Sequence, residues 1–320
     1  MDWVLADLEE AAAIVRDTLP PTPAIAWPLL AARCGTEVVV KHENHLPIGS
    51  FKLRGGLVYG RKLVVREPGV RTLIAATRGN HGQSVAYAAR SAGLEARIVV
   101  PHGNSANKNA AMRAWGATLI EHGHDFQAAY EHARKLAQAP GLHLVPSFHW
   151  TLVRGVASCA LELFAQAGSL DLLYVPIGLG SGACGAIAAR DALGLRTRIV
   201  GVVAENAPAY ALSFAHGVPA ETDSAETLAD GLAVRVPDAE ALREIRRGVE
   251  RVVTVSEVEI RDAIRHYFSD THNVAEGAAA AALAALLRER DRVRGLRVGV
   301  VLTGGNIDPD LYADALRTEA

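Results

Sequence analysis

Lys52 lies in the run Pro47-Ile48-Gly49-Ser50-Phe51-Lys52-Leu53-Arg54-Gly55-Gly56, where a strand pattern gives way to a helical one. Only five lysines occur in the chain, against 28 arginines. Arginine replaces lysine at most solvated positions, but it cannot form an imine with an aldehyde. A lysine kept against such a background is a candidate nucleophile. The alternative is a solvated lysine at a helix start.

Three further runs carry possible chemistry. Thr77-Arg78-Gly79-Asn80-His81-Gly82-Gln83-Ser84 follows the apolar run Leu73-Ile74-Ala75-Ala76. A tight glycine-containing turn that opens a helix presents unpaired backbone N–H groups and the positive end of the helix dipole, which favour an anion such as a carboxylate. Alternatively, Asn80 simply caps the helix. Gly178-Leu179-Gly180-Ser181-Gly182-Ala183 opens a second helical pattern after Leu172-Leu173-Tyr174-Val175-Pro176-Ile177. Its glycines let the backbone approach a ligand closely, and the N–H groups behind them suit a phosphate. The run also meets the G-x-G-x-x-A dinucleotide form, with Glu205 as a ribose-binding acid, but Glu205 lies beyond the usual spacing of ~20 residues. A nicotinamide site would also leave Lys52 and the Asn80 run without a role. Finally, Thr303-Gly304-Gly305-Asn306 closes an apolar strand pattern. A threonine hydroxyl there can bond a heteroaromatic nitrogen without fixing its protonation.

The elements that must position these runs are short β-branched stretches alternating with alanine-rich helical ones. Strands are expected at 36–41, 72–76, 96–100, 118–121, 142–145, 170–177, 197–204, 252–255 and 296–303. Helices are expected at 82–92, 106–115, 126–138, 152–167, 182–193, 256–268 and 275–290. Such alternation implies an α/β fold of open, mostly parallel sheets with helices on both faces. The strand number suits two sheets: a small inserted lobe from about 44 to 146, and a large lobe from 1–43 and 147–320, with crossings near 43–49 and 145–150. The polar stretch 215–236 reads as a long surface excursion. All four chemical runs fall at the carboxyl ends of strands, where ligands lie in open parallel sheets.

Composition narrows the partners. Half of the residues are hydrophobic, 21% are charged, and the net charge of −2 with pI near 6.6 provides no basic field for nucleic acid. The apolar run 278–287 is too short to span a bilayer, and the start Met1-Asp2-Trp3 lacks a basic signal, so no membrane partner and a cytoplasmic location are expected. Cys34, Cys159 and Cys184 are odd in number and lack metal-type spacing, which reads as three buried small apolar residues.

Ser50-Phe51-Lys52-Leu53-Arg54-Gly55, Thr77-Arg78-Gly79-Asn80-His81-Gly82-Gln83, the glycine run after Ile177, Leu228-Ala229-Asp230-Gly231 and Thr303-Gly304-Gly305-Asn306 occur in a telling order. The order resembles that of pyridoxal-phosphate enzymes of the tryptophan synthase β-subunit fold, and most of all the threonine/serine dehydratases, over nearly the whole chain. The resemblance implies the type II fold of these enzymes, pyridoxal 5′-phosphate as cofactor, an amino-acid substrate and a homodimer. It implies that Lys52 carries the cofactor as an imine, beside Phe51, and serves as the catalytic base. Asn80 then bonds the phenolic oxygen, Gly178, Leu179, Gly180, Ser181 and Gly182 cradle the phosphate, and Thr303 faces the pyridine nitrogen. Ser50, Thr77, Arg78, Gly79, Asn80 and His81 line the substrate, with Ser50 a second catalytic candidate. The implied reaction removes the α-proton and the β-hydroxyl of threonine or serine, leaving a 2-oxo acid and ammonia.

Some positions depart from the family. Arg78 stands where relatives have a small residue, alanine or a racemase's serine. It either neutralises a second carboxylate, as a 3-hydroxyaspartate-like substrate needs, or points to solvent. Relatives with a divalent cation use an acid six residues past the Glu205 position, where this chain has Ala211, so no metal is expected. Leu179 and Ser181 replace two glycines of the commoner phosphate loop. Glu276 matches an acid near the ring in relatives, or else complements a helix dipole. The competing functions are a dehydratase for 3-hydroxyaspartate-like acids, a β-replacement enzyme of cysteine synthase type, and a cofactor-binding protein without turnover.

Overall fold

Segments that follow three different strands are stitched together in the computed structural model, which describes residues 3–317. The strands are β1 (Ala24–Ala26), β2 (Glu37–His42), β3 (Thr72–Ala76), β4 (Glu95–Val100), β5 (Ala117–Glu121), β6 (Leu142–Leu144), β7 (Leu172–Pro176), β8 (Arg198–Ala204), β9 (Val249–Val255) and β10 (Arg297–Leu302). They form a six-stranded sheet in the order β1-β2-β10-β7-β8-β9 and a four-stranded sheet in the order β5-β4-β3-β6. Every pairing is parallel except that of β1 with β2. The smaller sheet is built wholly from strands between Thr72 and Leu144.

The helices are α1 (Leu5–Arg16), α2 (Pro28–Cys34), α3 (Lys52–Arg66), α4 (Asn80–Ser91), α5 (Ala106–Ala114), α6 (Phe126–Leu136), α7 (Trp150–Ala167), α8 (Ser181–Ala192), α9 (Ala209–His216), α10 (Ala239–Gly248), α11 (Glu257–Thr271), α12 (Gly277–Arg288) and α13 (Pro309–Arg317). They cover both faces of each sheet. Because side chains alternate along a strand, Val38 and Val40 of β2 join a core with α11 and α12, while Val39 joins one with α7 and α8. In the small sheet, Leu73, Ala75 and Ile98 face α3 and α4, and Ile74, Ala76 and Val99 face α6. This double burial is why the strands read as continuous apolar runs.

All expected strands and helices are present, β3 with the expected bounds and the others with shifted ends, and several elements lie outside the expected set. β1 is a three-residue antiparallel edge strand, too short to show a period. α3 holds Gly55, Gly56 and Gly60, which weaken a helical pattern. The stretch read as a surface excursion is largely exposed, but it buries Ala229 and Leu232 and carries a 3-10 turn, Asp230–Leu232. Packing explains the α3 glycines. A Cβ on Gly56 would lie 2.3 Å from Ser84 Oγ in α4, and one on Gly55 would lie 2.8 Å from the Leu152 carbonyl oxygen in α7.

On the α7 side, a Cβ on Gly155 would meet the Arg54 carbonyl oxygen at 2.4 Å and Gly55 Cα at 2.8 Å. Alanine is favoured over glycine in a helix interior by about 1 kcal/mol. The added methyl, however, strikes backbone atoms that cannot rotate away, and overpacking costs about 1–3 kcal/mol. Gly155→Ala should therefore lower the urea midpoint of unfolding. An unchanged or higher midpoint would show that the α3–α7 contact yields freely.

Candidate active site

The chain after β10 is laced to the chain before α3. Ser50 and Gly304 form an antiparallel bridge, Phe51 N donates to Thr303 O at 3.0 Å, and Gly305 N donates to Gly49 O at 2.9 Å. Asn306 Nδ2 donates to Ile48 O at 2.7 Å. Gly49 has φ +64°, and a Cβ there would lie 3.0 Å from Asn306 Oδ1, so glycine suits both the backbone and the space. From Ser84 of α4, Oγ donates to Lys52 O at 2.6 Å. The first turn of α3, with Lys52 as its first residue, is thus tied to both sheets. Ser50 is fully buried, its Oγ 3.5 Å from Lys52 N, and Thr303 is buried beside it in the chain pairing.

Asn80 links the same neighbourhood to α12. Its Oδ1 accepts from Asn306 Nδ2 at 2.7 Å, and its Nδ2 donates to both carboxylate oxygens of Glu276, at 2.8 and 3.0 Å. The capping role open to Asn80 is not the one it takes: α4 begins at Asn80 itself, and Gly79 occupies the cap position without a side-chain bond. Thr77 Oγ1 accepts from Gly79 N at 3.0 Å and holds the turn from beneath. Glu276 precedes α12 without capping it, its backbone N–H donating to Gly304 O at 3.1 Å, so its carboxylate serves Asn80 and not the helix end.

The electrostatics favour neutral groups. Burial pushes the Lys52 ammonium below the usual lysine range, and the nearby Glu276 carboxylate only partly opposes this. Burial likewise raises the Glu276 carboxyl above the usual carboxylate range, against the Asn80 bond and the charges of Lys108 and Lys52. His81 is driven down to about 4 by burial and then by Lys52, with a bond to the Val145 backbone opposing; its Nε2 is buried without a hydrogen-bond partner. The imidazole is therefore neutral at ordinary pH. Arg78, by contrast, is exposed.

The glycine loop stands between β7 and α8. A Cβ on Gly178 would lie 2.2 Å from Gly231 O, and Gly180 has φ +99°, so neither position admits a side chain without movement. Gly182 faces the Phe51 ring, whose Cε2 would be 3.8 Å from a Cβ placed there. Leu179 O accepts from Tyr210 Oη at 3.0 Å, which fixes the back of the loop. No side chain caps α8, and Ser181 is its first residue. A cradle of bare backbone N–H groups at a helix N-terminus is what a phosphate requires. Together with a half-buried lysine of lowered pKa, it fits pyridoxal 5′-phosphate. Lys52 is suited to the aldehyde and residues Gly178 to Gly182 to the phosphate.

A sequence model of pyridoxal-phosphate dependent enzymes matches residues 15–304. The chain belongs to this family. As a pyridoxal-phosphate dependent enzyme it is 33% identical over 309 residues to the L-threonine ammonia-lyase of Thermotoga maritima, covering 96% of this chain and 76% of that one. It is also 33% identical over 299 residues to an L-threo-3-hydroxyaspartate ammonia-lyase of Pseudomonas sp, covering 92% and 93%. Among solved structures, the T.th. threonine deaminase superposes with a TM-score of 0.90 at 31% identity over 96% of this chain and 99% of that one. A pyridoxal 5′-phosphate-dependent aspartate racemase gives 0.91 at 26% identity over 97% and 98%. The two mostly parallel sheets with helices on both faces are the fold that the motifs implied.

Other residues of this enzyme fall outside the site. Cys34, Cys159 and Cys184 are free and buried, with burial raising each thiol, that of Cys34 to about 12. Glu205 is exposed at the end of β8, and no group of three or more His, Cys, Asp or Glu among the described residues is arranged to hold a metal. No described helix is long and apolar enough to cross a membrane. Sequence reasoning left the role of Glu276 open and did not single out Lys108. Lys108 lies against Gly79 and pairs with Asp230, a contact 122 residues apart that no local pattern could announce.

Proposed function

We propose that the chain converts a β-hydroxy amino acid, threonine or serine, to the corresponding 2-oxo acid and ammonia. The observation that carries this reading is the Lys52 amine, its pKa lowered by burial, whose charge is felt at His81 in the first turn of α4 and whose neighbour Phe51 packs on Gly182 at the uncapped start of α8. Relatives named for threonine and 3-hydroxyaspartate ammonia-lyase activity support the same reaction class.

Pyridoxal phosphate, when bound, supplies an aldehyde that joins amines and a ring that accepts the electrons of a broken bond at the α-carbon. In this proposal the N–H groups at the start of α4, in the loop from Thr77 to His81, hold the substrate carboxylate. Asn80, fixed by Asn306 and Glu276, presents its amide at a set position. Residues Gly178 to Gly182 hold the phosphate, and Phe51 packs beside them. The Lys52 amine, its pKa lowered by burial, takes the α-proton. Ser50, fully buried next to Lys52, is the chain's own candidate for handling the proton that must accompany the departing β-hydroxide. His81, neutral above about pH 4, contributes polarity without adding a positive charge. Water is lost from the substrate and regained as the amino group leaves as ammonia, so no redox partner is required.

The test is release of 2-oxobutyrate from threonine, or pyruvate from serine, by the purified protein supplied with the cofactor. Absence of either product across β-hydroxy amino acids would overturn the proposal. Consumption of a β-substituted amino acid only when a thiol is present would replace it with β-replacement.

A further inference from the structure

Lys108 of α5 and Asp230 of the 3-10 turn Asp230–Leu232 form an ion pair that joins the small-sheet side of the site to the large-sheet side. The pair is not a simple surface contact, because the Lys108 side chain is only 13% exposed. Its stem lies against the turn before α4, so that a Cβ on Gly79 would come within 3.1 Å of Lys108 Cδ. Its charge is felt at Glu276, the partner of Asn80. Asp230 belongs to the other wall, since the following residue, Gly231, presents its carbonyl oxygen to Gly178 of the phosphate loop. A second bond spans the same gap: Ser105, whose Oγ caps α5 by accepting from Lys108 N at 3.2 Å, donates to Asp308 at 2.6 Å. An ammonium group is therefore held beside the proposed carboxylate-binding turn, and its counter-charge comes from the protein itself.

We propose that Lys108 reads a second carboxylate on the substrate, as in a 3-hydroxyaspartate-type acid, and that Asp230 occupies Lys108 until such a carboxylate displaces it. Asp230 thereby acts as an internal stand-in for the acidic side chain, and the pair sets the preference between acidic and neutral β-hydroxy amino acids. Arg78, the cation first considered for this purpose, is exposed, whereas Lys108 is largely withdrawn from solvent. This inference rests on the proposed dehydratase reading and names the substrate class within it.

The experiment measures succinate and propionate binding to the cofactor-loaded enzyme by calorimetry, in the wild type, Lys108→Met and Asp230→Asn. A charge-assisted contact predicts that Asp230→Asn tightens succinate relative to propionate by about tenfold, and that Lys108→Met weakens it by about the same factor. The same opposite shifts are expected in kcat/KM for 3-hydroxyaspartate relative to threonine. General damage to the fold cannot move the ratio in opposite directions. A succinate-to-propionate ratio that stays put in either variant, or rises in Lys108→Met, overturns the inference. The binding measurement needs no turnover, so failure of the dehydratase reading appears separately, as a wild type that releases no 2-oxo acid.

Discussion

Lys52→Ala is expected to lower kcat for 2-oxo acid release by at least about 10³-fold, because base catalysis alone is typically worth 10²–10⁴-fold and the covalent attachment is lost with it. Lys52→Arg should be as inactive. It keeps a positive charge, but a guanidinium neither forms an imine nor loses its proton at usable pH. The pKa direction gives a second readout. Burial lowers Lys52, so its neutral amine persists to lower pH than that of an ordinary lysine, whose pKa is about 10.4. Lys41, Lys62 and Lys108 are tied in ion pairs, and Lys135 is exposed. Borohydride reduction of the cofactor-loaded enzyme near neutral pH should therefore attach the cofactor to the Lys52 peptide alone. A label on any other lysine, or an alanine variant that keeps a tenth or more of the activity, would sink the assignment of Lys52.

Much of this site is legible in the sequence because each ligand-binding run follows an apolar strand and opens a helix, a local pattern in which glycines and strand periods lie close together. Lys52, the Thr77–His81 turn and the Gly178–Gly182 loop have that form, and Thr303 shares its first half, following strand β10 without opening a helix. What cannot be read there are the contacts that cross the chain. Asn80 looks like a cap because asparagine at a helix start usually is one, yet its amide is claimed by Glu276, 196 residues away, and by Asn306. Lys108 and Asp230 each look solvated in isolation. α3 is a partial case: a helix start at Lys52 is legible, but its glycines weaken the pattern until α4 and α7 are seen pressing on its backbone. Arg54, in the same helix, gives no sign of being buried, since arginine is almost never fully buried unless paired.

That pairing supports the other large prediction. Arg54 is fully buried. Its Nε and Nη2 bind Glu43 at 2.6 and 2.9 Å, its Nη1 and Nη2 bind Glu162 at 2.8 and 2.7 Å, Ser158 accepts the second Nη1 donor at 3.0 Å, and Thr22 Oγ1 shares the Nη2 donors at 3.2 Å. Lys41, also fully buried, shares Glu162 at 2.8 Å, so two cations face two carboxylates. Arg54→Met removes one charge and leaves Glu43 buried without its guanidinium, which should cost about 3–5 kcal/mol in urea unfolding at neutral pH. A loss below about 1 kcal/mol, the scale of a surface pair, would contradict this. Burial tends to raise the Glu43 carboxyl, but Arg54 outweighs it and holds the group below the usual carboxylate range. In the wild type, its contribution is therefore present above the ordinary glutamate pKa of about 4.3 and is lost as pH falls through the depressed folded value. In Arg54→Met the sign reverses, because an unpaired buried Glu43 is protonated more readily when folded. The stability gap between the two proteins should thus narrow as pH drops from 7.5 toward about 4.5. Adding Glu43→Gln to the variant should recover part of the loss, since the stranded charge is then gone. Because Lys52 opens the same helix, two residues before Arg54, the single variant should also load the cofactor more weakly, and the double variant should restore loading in step with stability.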